Sequence, residues 1–256
     1  MILELTMVLF GLILGSFGNN IVSGISANKK IDLVRSSCMC GDRKLKYYEL
    51  IPLFSYLFSN GFCRHCSSTL PFRYFWLELY SALLALLCLF KYDFTYLCFL
   101  QFIAFYTMSI IAIIDFYYMI IPNILIIILL GTSIVLNFLI GNQLFGNLII
   151  ALLLVVIFSS INYFYSKIKS IQVLGFGDIK YIGVLALFLV FPLSLIGLWI
   201  SALIAIPGSY LIRILSKKYH SEIRIPFGSF LSAGYILTSL IDSWLINMYY
   251  KISMVY

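Results

Sequence analysis

Charge is scarce in this 256-residue sequence: Asp, Glu, Lys and Arg make up 11% of it, against about 25% in soluble domains. Long polar stretches are scarce as well, with one exception at residues 23–75, and 62% of the chain is hydrophobic. Those shortages exclude an ordinary cytosolic enzyme, a disordered chain and a small disulfide-rich secreted domain. With a mean hydropathy of +1.04 the chain belongs in a bilayer. It has no internal repeat and no low-complexity tract beyond the apolar bias. The first apolar run, residues 2–22, lacks a basic leading region and carries Glu4, so it reads as a retained spanning helix and not as a cleaved signal peptide. A net charge of +7 does not indicate nucleic acid, because the Lys and Arg sit between apolar runs instead of lining one helix face.

Runs near the roughly 20 apolar residues that a spanning helix needs fall at 2–22, 75–91, 94–114, 121–140, 145–165, 180–196, 197–214 and 227–249. The expected fold is an all-α polytopic membrane protein of about eight transmembrane helices with a small cytoplasmic cysteine-containing loop domain. Its parts are a first transmembrane helix (1–22), the cysteine-containing domain (23–75) and a helical membrane domain (76–256). Phe191 and Pro192 must supply a tight turn between the sixth and seventh runs; one bent helix there leaves seven spans. The basic residues favour eight. With eight, 15 of the 17 Lys and Arg share one side, leaving only Lys91 and Lys251 opposite. By the positive-inside rule that side is cytoplasmic and both termini lie outside.

Of ten acidic residues, most fall in loops or near the outer surface. Asp115 and Asp178 do not: each stands where an apolar run meets the cytoplasmic side. Ionisable groups at membrane depth cost roughly 2.5–3.5 kcal/mol on insertion scales and often carry function. Two carboxyls at matching depth, brought together, cannot both ionise; one keeps a proton while the other acts as base on a water. Gly175 and Gly177 beside Asp178 would allow close backbone approach and unusual dihedrals, and Pro122 would open the fourth span as a first-turn proline. The spacing alone leaves a second reading open, in which each aspartate caps a helix or reaches to the interface.

The segment from Asp115 to Ile121-Pro122-Asn123 and the segment Gly175-Phe176-Gly177-Asp178-Ile179-Lys180 resemble the two aspartate motifs of the type IV prepilin peptidases, membrane aspartic proteases of the Gly-x-Gly-Asp type. Gly11, Gly15, Ser16, Phe17 and Asn19 are similar to that family's first helix, and Tyr48 to Tyr56 with Phe72 to Glu78 to its first cytoplasmic loop. Ile225-Pro226-Phe227-Gly228 resembles its last turn into the membrane, although the family usually has Pro where Ser229 stands. The resemblance implies that Asp115 and Asp178 are catalytic, with Gly175, Gly177, Lys180, Pro122 and Asn123 supporting them. It implies removal of the basic leader from prepilins or pseudopilins at the cytoplasmic membrane face. It also implies N-methylation of the new terminus with S-adenosylmethionine, for which no residues are assigned. The short, Lys-, Ile- and Tyr-rich chain is similar to members from Gram-positive competence systems.

Cys38, Cys40, Cys63 and Cys66 form two thiol pairs in the cytoplasmic loop, where reducing conditions oppose disulfides and four thiolates suit a structural zinc. Cys63-Arg64-His65-Cys66 has the usual two-residue gap; Cys38-Met39-Cys40 has one, which strains that geometry. Cys88 and Cys98 read as buried apolar residues. Glu78 is expected to pair with Arg73 at the interface. A different function class remains, a transporter or channel using Asp115 and Asp178 as a cation or proton relay, but it calls for charged or polar residues at several depths along a path, and the middles of the runs have almost no charged ones.

Overall fold

In hydrocarbon every backbone N–H and C=O must find a partner within the protein, so apolar runs of this length fold as helices. The computed structural model describes residues 2–26, 56, 62, 69–141, 144–169, 174–215 and 225–253. Among the described residues lie nine helices: α1 (Ile2–Ser26), α2 (Arg73–Tyr92), α3 (Tyr96–Tyr118), α4 (Asn123–Ile140), α5 (Leu144–Lys169), α6 (Phe176–Phe188), α7 (Leu193–Leu215), α8 (Phe227–Leu240) and α9 (Asp242–Ser253). Six of them, α1 to α5 and α7, are long and apolar enough to cross a membrane.

The later elements depart from the expected boundaries. The sixth run begins earlier than 180 and stops at Phe188, so Asp178 lies inside the first turn of α6 and Leu193 already belongs to α7. The cause is local: Leu189 is extended (φ −101°, ψ 136°), and the proline at 192 disfavours helix in the residue before it. The chain therefore divides at 189–192 and does not continue as one bent helix. At 13 residues, α6 is roughly 20 Å long, short of a hydrocarbon core of about 30 Å. The expected eighth span, 227–249, is likewise two shorter helices that part at Ile241.

Two compact units account for the described residues, Met1–Phe102 and Ile103–Tyr256. In the first, α1 packs on α2 through small residues. A Cβ on Gly11 would stand 2.6 Å from the Ser81 carbonyl oxygen, and one on Gly15 would stand 2.6 Å from the Glu78 Cα. Below these contacts the Asn19 amide donates to the Tyr74 carbonyl (3.1 Å), Ser23 bonds the Tyr74 hydroxyl (2.8 Å) and Arg73 donates to Ser23 Oγ (3.2 Å). Glu78, expected at the interface, is buried at 6% exposure.

In the second unit α6 is the core. Every residue from Tyr181 to Phe188 is buried, the pattern of a helix wrapped on all sides, here by α4, α5, α7 and α8. The Asn137 amide of α4 donates to the Leu187 carbonyl near the end of α6 (2.8 Å). Asn147 of α5 donates to Asn137 Oδ1 and accepts from the Phe191 N–H (3.4 Å). Helix α8 lies so close to α7 that a Cβ on Gly234 would stand 2.6 Å from the Ser201 Cα. The outward residues of α5 and α7, among them Leu152, Val156, Trp199 and Ile206, are exposed apolar side chains, as lipid-facing positions require.

The α1–α2 contact makes a clear expectation. Gly15→Val should destabilise the folded protein by about 1–3 kcal/mol, read as a lower thermal midpoint in detergent. Gly131→Ala, where a Cβ meets nothing within 4 Å, should not; equal midpoints for both variants would contradict the packing described.

Candidate active site

Asp115 lies in the last turns of α3 and is 5% exposed. Its Oδ2 accepts the Ser229 N–H at 2.9 Å, with the Gly228 N–H a further donor and Ser229 Oγ 3.4 Å away. These amides open α8, whose N-cap is Pro226, a residue with no side-chain group to satisfy them. The first N–H groups of a helix have no partner within it and carry partial positive charge, so an anion belongs there. Asp115 thus supplies from α3 the cap that α8 cannot make for itself. Gly228 permits the approach, since a Cβ there would sit 3.0 Å from Asp115 Oδ2.

Asp178 is the third residue of α6 and reaches back to accept the Gly175 N–H (3.3 Å). Gly175 has φ −68° and ψ 147°, ordinary extended backbone. The expected unusual dihedrals are therefore absent at this N-cap, and what glycine provides is space: a Cβ on Gly175 would stand 3.1 Å from Asp178 Oδ2. The chain just before Gly175 is held by Asn162 of α5, whose amide donates to the Leu174 carbonyl (3.1 Å) while its Oδ1 accepts the Leu174 N–H (3.3 Å).

One apolar side chain joins the two acid-bearing segments. Ile121 lies against Gly177 and against Gly228, where added Cβ atoms would stand 3.5 and 2.9 Å from it. Met119 turns the chain out of α3 in the left-handed region (φ 55°), a conformation costing a non-glycine residue roughly 1–2 kcal/mol; its N–H bonds the Asp115 carbonyl (2.9 Å). Pro122 is the N-cap of α4, one residue ahead of its expected first-turn position, and its carbonyl accepts from Leu125 and Ile126. Asn123 begins α4 and is exposed, as is Lys180 on α6.

Asp178 is half-buried, in the first turn of a helix too short to span. Burial, followed by the nearby Asp115 charge, pushes its carboxyl up to about 6, against the lowering effect of the Gly175 N–H. The arrangement places a buried carboxylate, ringed by donors, within electrostatic reach of a partly solvated carboxyl. Such a pair can share one proton and act on water and an acceptor together. Among buried side chains of the described residues the charged ones are Asp115 and Glu78, so no ladder of charged groups continues through the described helices.

Cys38, Cys40, Cys63 and Cys66 lie outside the described residues, as does most of the 23–75 segment. Among the described residues no cluster of three or more His, Cys, Asp or Glu could hold a metal. Cys88 and Cys98 are buried free thiols, in line with the apolar reading. The sequence marks Asn162 only as one of two asparagines, with Asn147, in an apolar run.

Residues 9–92 match the model of the bacterial peptidase A24 N-terminal domain, and residues 102–209 match that of the type IV leader peptidase family. The chain belongs to the type IV leader peptidase family. Relatives in this family extend over its whole length. It is 29% identical over 249 residues to the prepilin leader peptidase/N-methyltransferase of Bacillus subtilis (strain 168), covering 96% of this chain and 97% of that one. With the protein of the same name from Pseudomonas aeruginosa it shares 25% over 262 residues, 90% and 87% of the two chains. No solved structure matches. As in the sequence reading, this family member is a nearly all-helical multi-pass membrane protein.

The Asn162 clamp predicts its own disruption. Asn162→Ala leaves the Leu174 N–H and C=O without their partner, a loss of roughly 1–3 kcal/mol for buried polar groups. Faster amide exchange across residues 174–178 and a lowered midpoint are expected; unchanged exchange there would contradict the clamp.

Proposed function

We propose that this chain is an aspartic endopeptidase of the bacterial cytoplasmic membrane. Its substrates are prepilin or pseudopilin precursors, cut after the basic leader at the cytoplasmic face, and it then N-methylates the new terminus with S-adenosylmethionine as methyl donor. The observation that carries the reading is that Asp115 and Asp178, each tied to a helix start, lie within one another's field. Full-length relatives named prepilin leader peptidase/N-methyltransferase support both activities. The crowding of Lys and Arg on one side of the expected topology supports a cytoplasmic site.

In the proposed reaction one carboxylate takes a proton from water as its oxygen bonds the scissile carbonyl carbon. The other carboxyl gives its proton to the carbonyl oxygen. As the C–N bond breaks, the first carboxyl returns its proton to the amine, and the second regains one from the diol. The substrate's apolar helix reaches the site from the bilayer, with its basic leader on the cytoplasmic side. Gly175, Gly177 and Ile121 act by spacing the aspartate-bearing segments, Pro122 and Asn123 by starting α4 directly after Ile121, and Lys180 is exposed on α6. A transporter or channel with an aspartate relay is not favoured, given the family and the absence of further buried charge among the described spans apart from Glu78.

The 23–75 segment is proposed as a small cytoplasmic domain with zinc on Cys38, Cys40, Cys63 and Cys66. The donor set of four thiols suits zinc, and Phe62 and Thr69, which bracket Cys63 and Cys66, pair in an antiparallel bridge. The metal would supply folding free energy there. Metal analysis of purified protein should find about one zinc per chain and its loss in Cys63→Ser; zinc-free wild type would refute the assignment.

Asp115→Asn and Asp178→Asn should each abolish leader cleavage in membranes at unchanged protein level, and retained cleavage in either would sink the two-aspartate mechanism. Because the proton-carrying form of Asp178 is lost above about 6, the wild-type rate should fall as pH rises through that region. Mass spectrometry of the product, with methyl donor supplied, should find a methylated N-terminus.

A further inference from the structure

The two carboxyls are hydrogen-bonded unequally. Asp115 Oδ2 faces the Ser229 N–H at 2.9 Å and the Gly228 N–H at the start of α8, whereas Asp178 receives one N–H, from Gly175, at 3.3 Å. A backbone N–H can only donate, so the oxygen it addresses is an acceptor and not the seat of a proton. The Ser229 hydroxyl stands 3.4 Å from Asp115 Oδ2, but its single proton goes to the Ala112 carbonyl (2.7 Å), so the donor that Ser229 supplies to Asp115 is its backbone N–H.

Other groups facing Asp115 do not undo this bias. From α6 come Asp178 and Tyr181. Ser232 donates to the Gly228 carbonyl (2.9 Å), so in the 2.6 Å bond between Ser232 and Tyr181 the tyrosine is the donor and its proton is committed. From α8 the titratable group is Tyr235, whose hydroxyl donates to the Ser194 carbonyl (2.8 Å). The start of α4, Ile121 to Asn123, brings no charge.

We infer that Ser229 is a positioning residue that keeps Asp115 the charged member of the pair, so that Asp115 takes the proton of the attacking water and Asp178 delivers the proton to the carbonyl oxygen. The inference rests on the two-aspartate reading above. Proton bookkeeping then closes: Asp115 passes the water's proton to the leaving amine as the C–N bond breaks, and Asp178 recovers its proton from the diol.

Ser229→Pro tests this cleanly. Residue 229 is the third of α8, where the N–H has no partner within the helix and proline in the first turn is tolerated; the substitution removes the N–H donor to Asp115 and, with the hydroxyl, the bond to the Ala112 carbonyl, and Ser229→Ala, which removes the hydroxyl alone, is the control. In the pH profile of leader cleavage its acid limb should move up by about one pH unit, a tenfold lower rate at a pH on that limb, while the alkaline limb stays. An unmoved acid limb, or a shift of the alkaline limb alone, overturns the inference. Should the variant fail to fold, infrared spectra of the purified protein decide. A protonated-carboxyl band that survives Asp115→Asn and disappears in Asp178→Asn supports it; the reverse pattern overturns it. Cleavage retained by Asp115→Asn or Asp178→Asn would instead remove the two-aspartate reading, a result distinguishable from either.

Discussion

A carboxylate from one helix resting on the first amides of another is the contact on which the second unit depends. Asp115 is buried in α3, and Pro226 leaves the start of α8 without a cap. Either alone would be costly in low-dielectric surroundings: an unpaired buried charge, or helix amides with no acceptor. Together they offset one another through charge-assisted bonds at 2.9 Å and through the partial positive charge of the helix end. The aspartate is a cap and a member of an acid pair at once, so the two readings that its sequence position left open do not compete. A cap explains why the group can be buried; the neighbouring Asp178 is what gives the arrangement chemical meaning.

Two groups of polar side chains elsewhere in the second unit differ in reach. Ser133 and Thr238 donate to the carbonyl four residues earlier in their own helix. Asn137, Asn147 and Asn162 reach between elements, and all of them attend the ends of α6: Asn162 holds Leu174 before its start, while Asn137 and Asn147 hold Leu187 and Phe191 at its finish. A helix of 13 residues wrapped in apolar neighbours has little to fix its position along its own axis. Amide bonds at both ends do so. Asp178, three residues into that helix, inherits the placement.

The long spans and both aspartates could be read directly from the amino-acid sequence, because hydropathy over about 20 residues and an acid at the edge of an apolar run are strong one-dimensional signals. Short elements were less legible. Phe191-Pro192 marked the break after α6, yet the run of apolar residues on both sides concealed where each helix began, and α6 is shorter than any window tuned to a bilayer. Gly175 and Gly177 suggest backbone freedom in the sequence, but at Gly175 ordinary φ and ψ leave proximity to Asp178 as the physical cause. Asn162 and Ser229 act on groups 12 and 114 residues away, and no local pattern announces such partners.

Ile121 carries a consequence for how the acid pair is calibrated. Its side chain fills the gap between the backbone at Gly177 and the backbone at Gly228, one belonging to the helix that bears Asp178 and the other to the helix that Asp115 caps. The separation of two ionisable groups is therefore gauged by a piece of hydrocarbon, and protein interiors resist compression. The Asp115 cap draws α8 toward α3, and the thickness of one aliphatic spacer limits how closely the segment bearing Asp178 can follow.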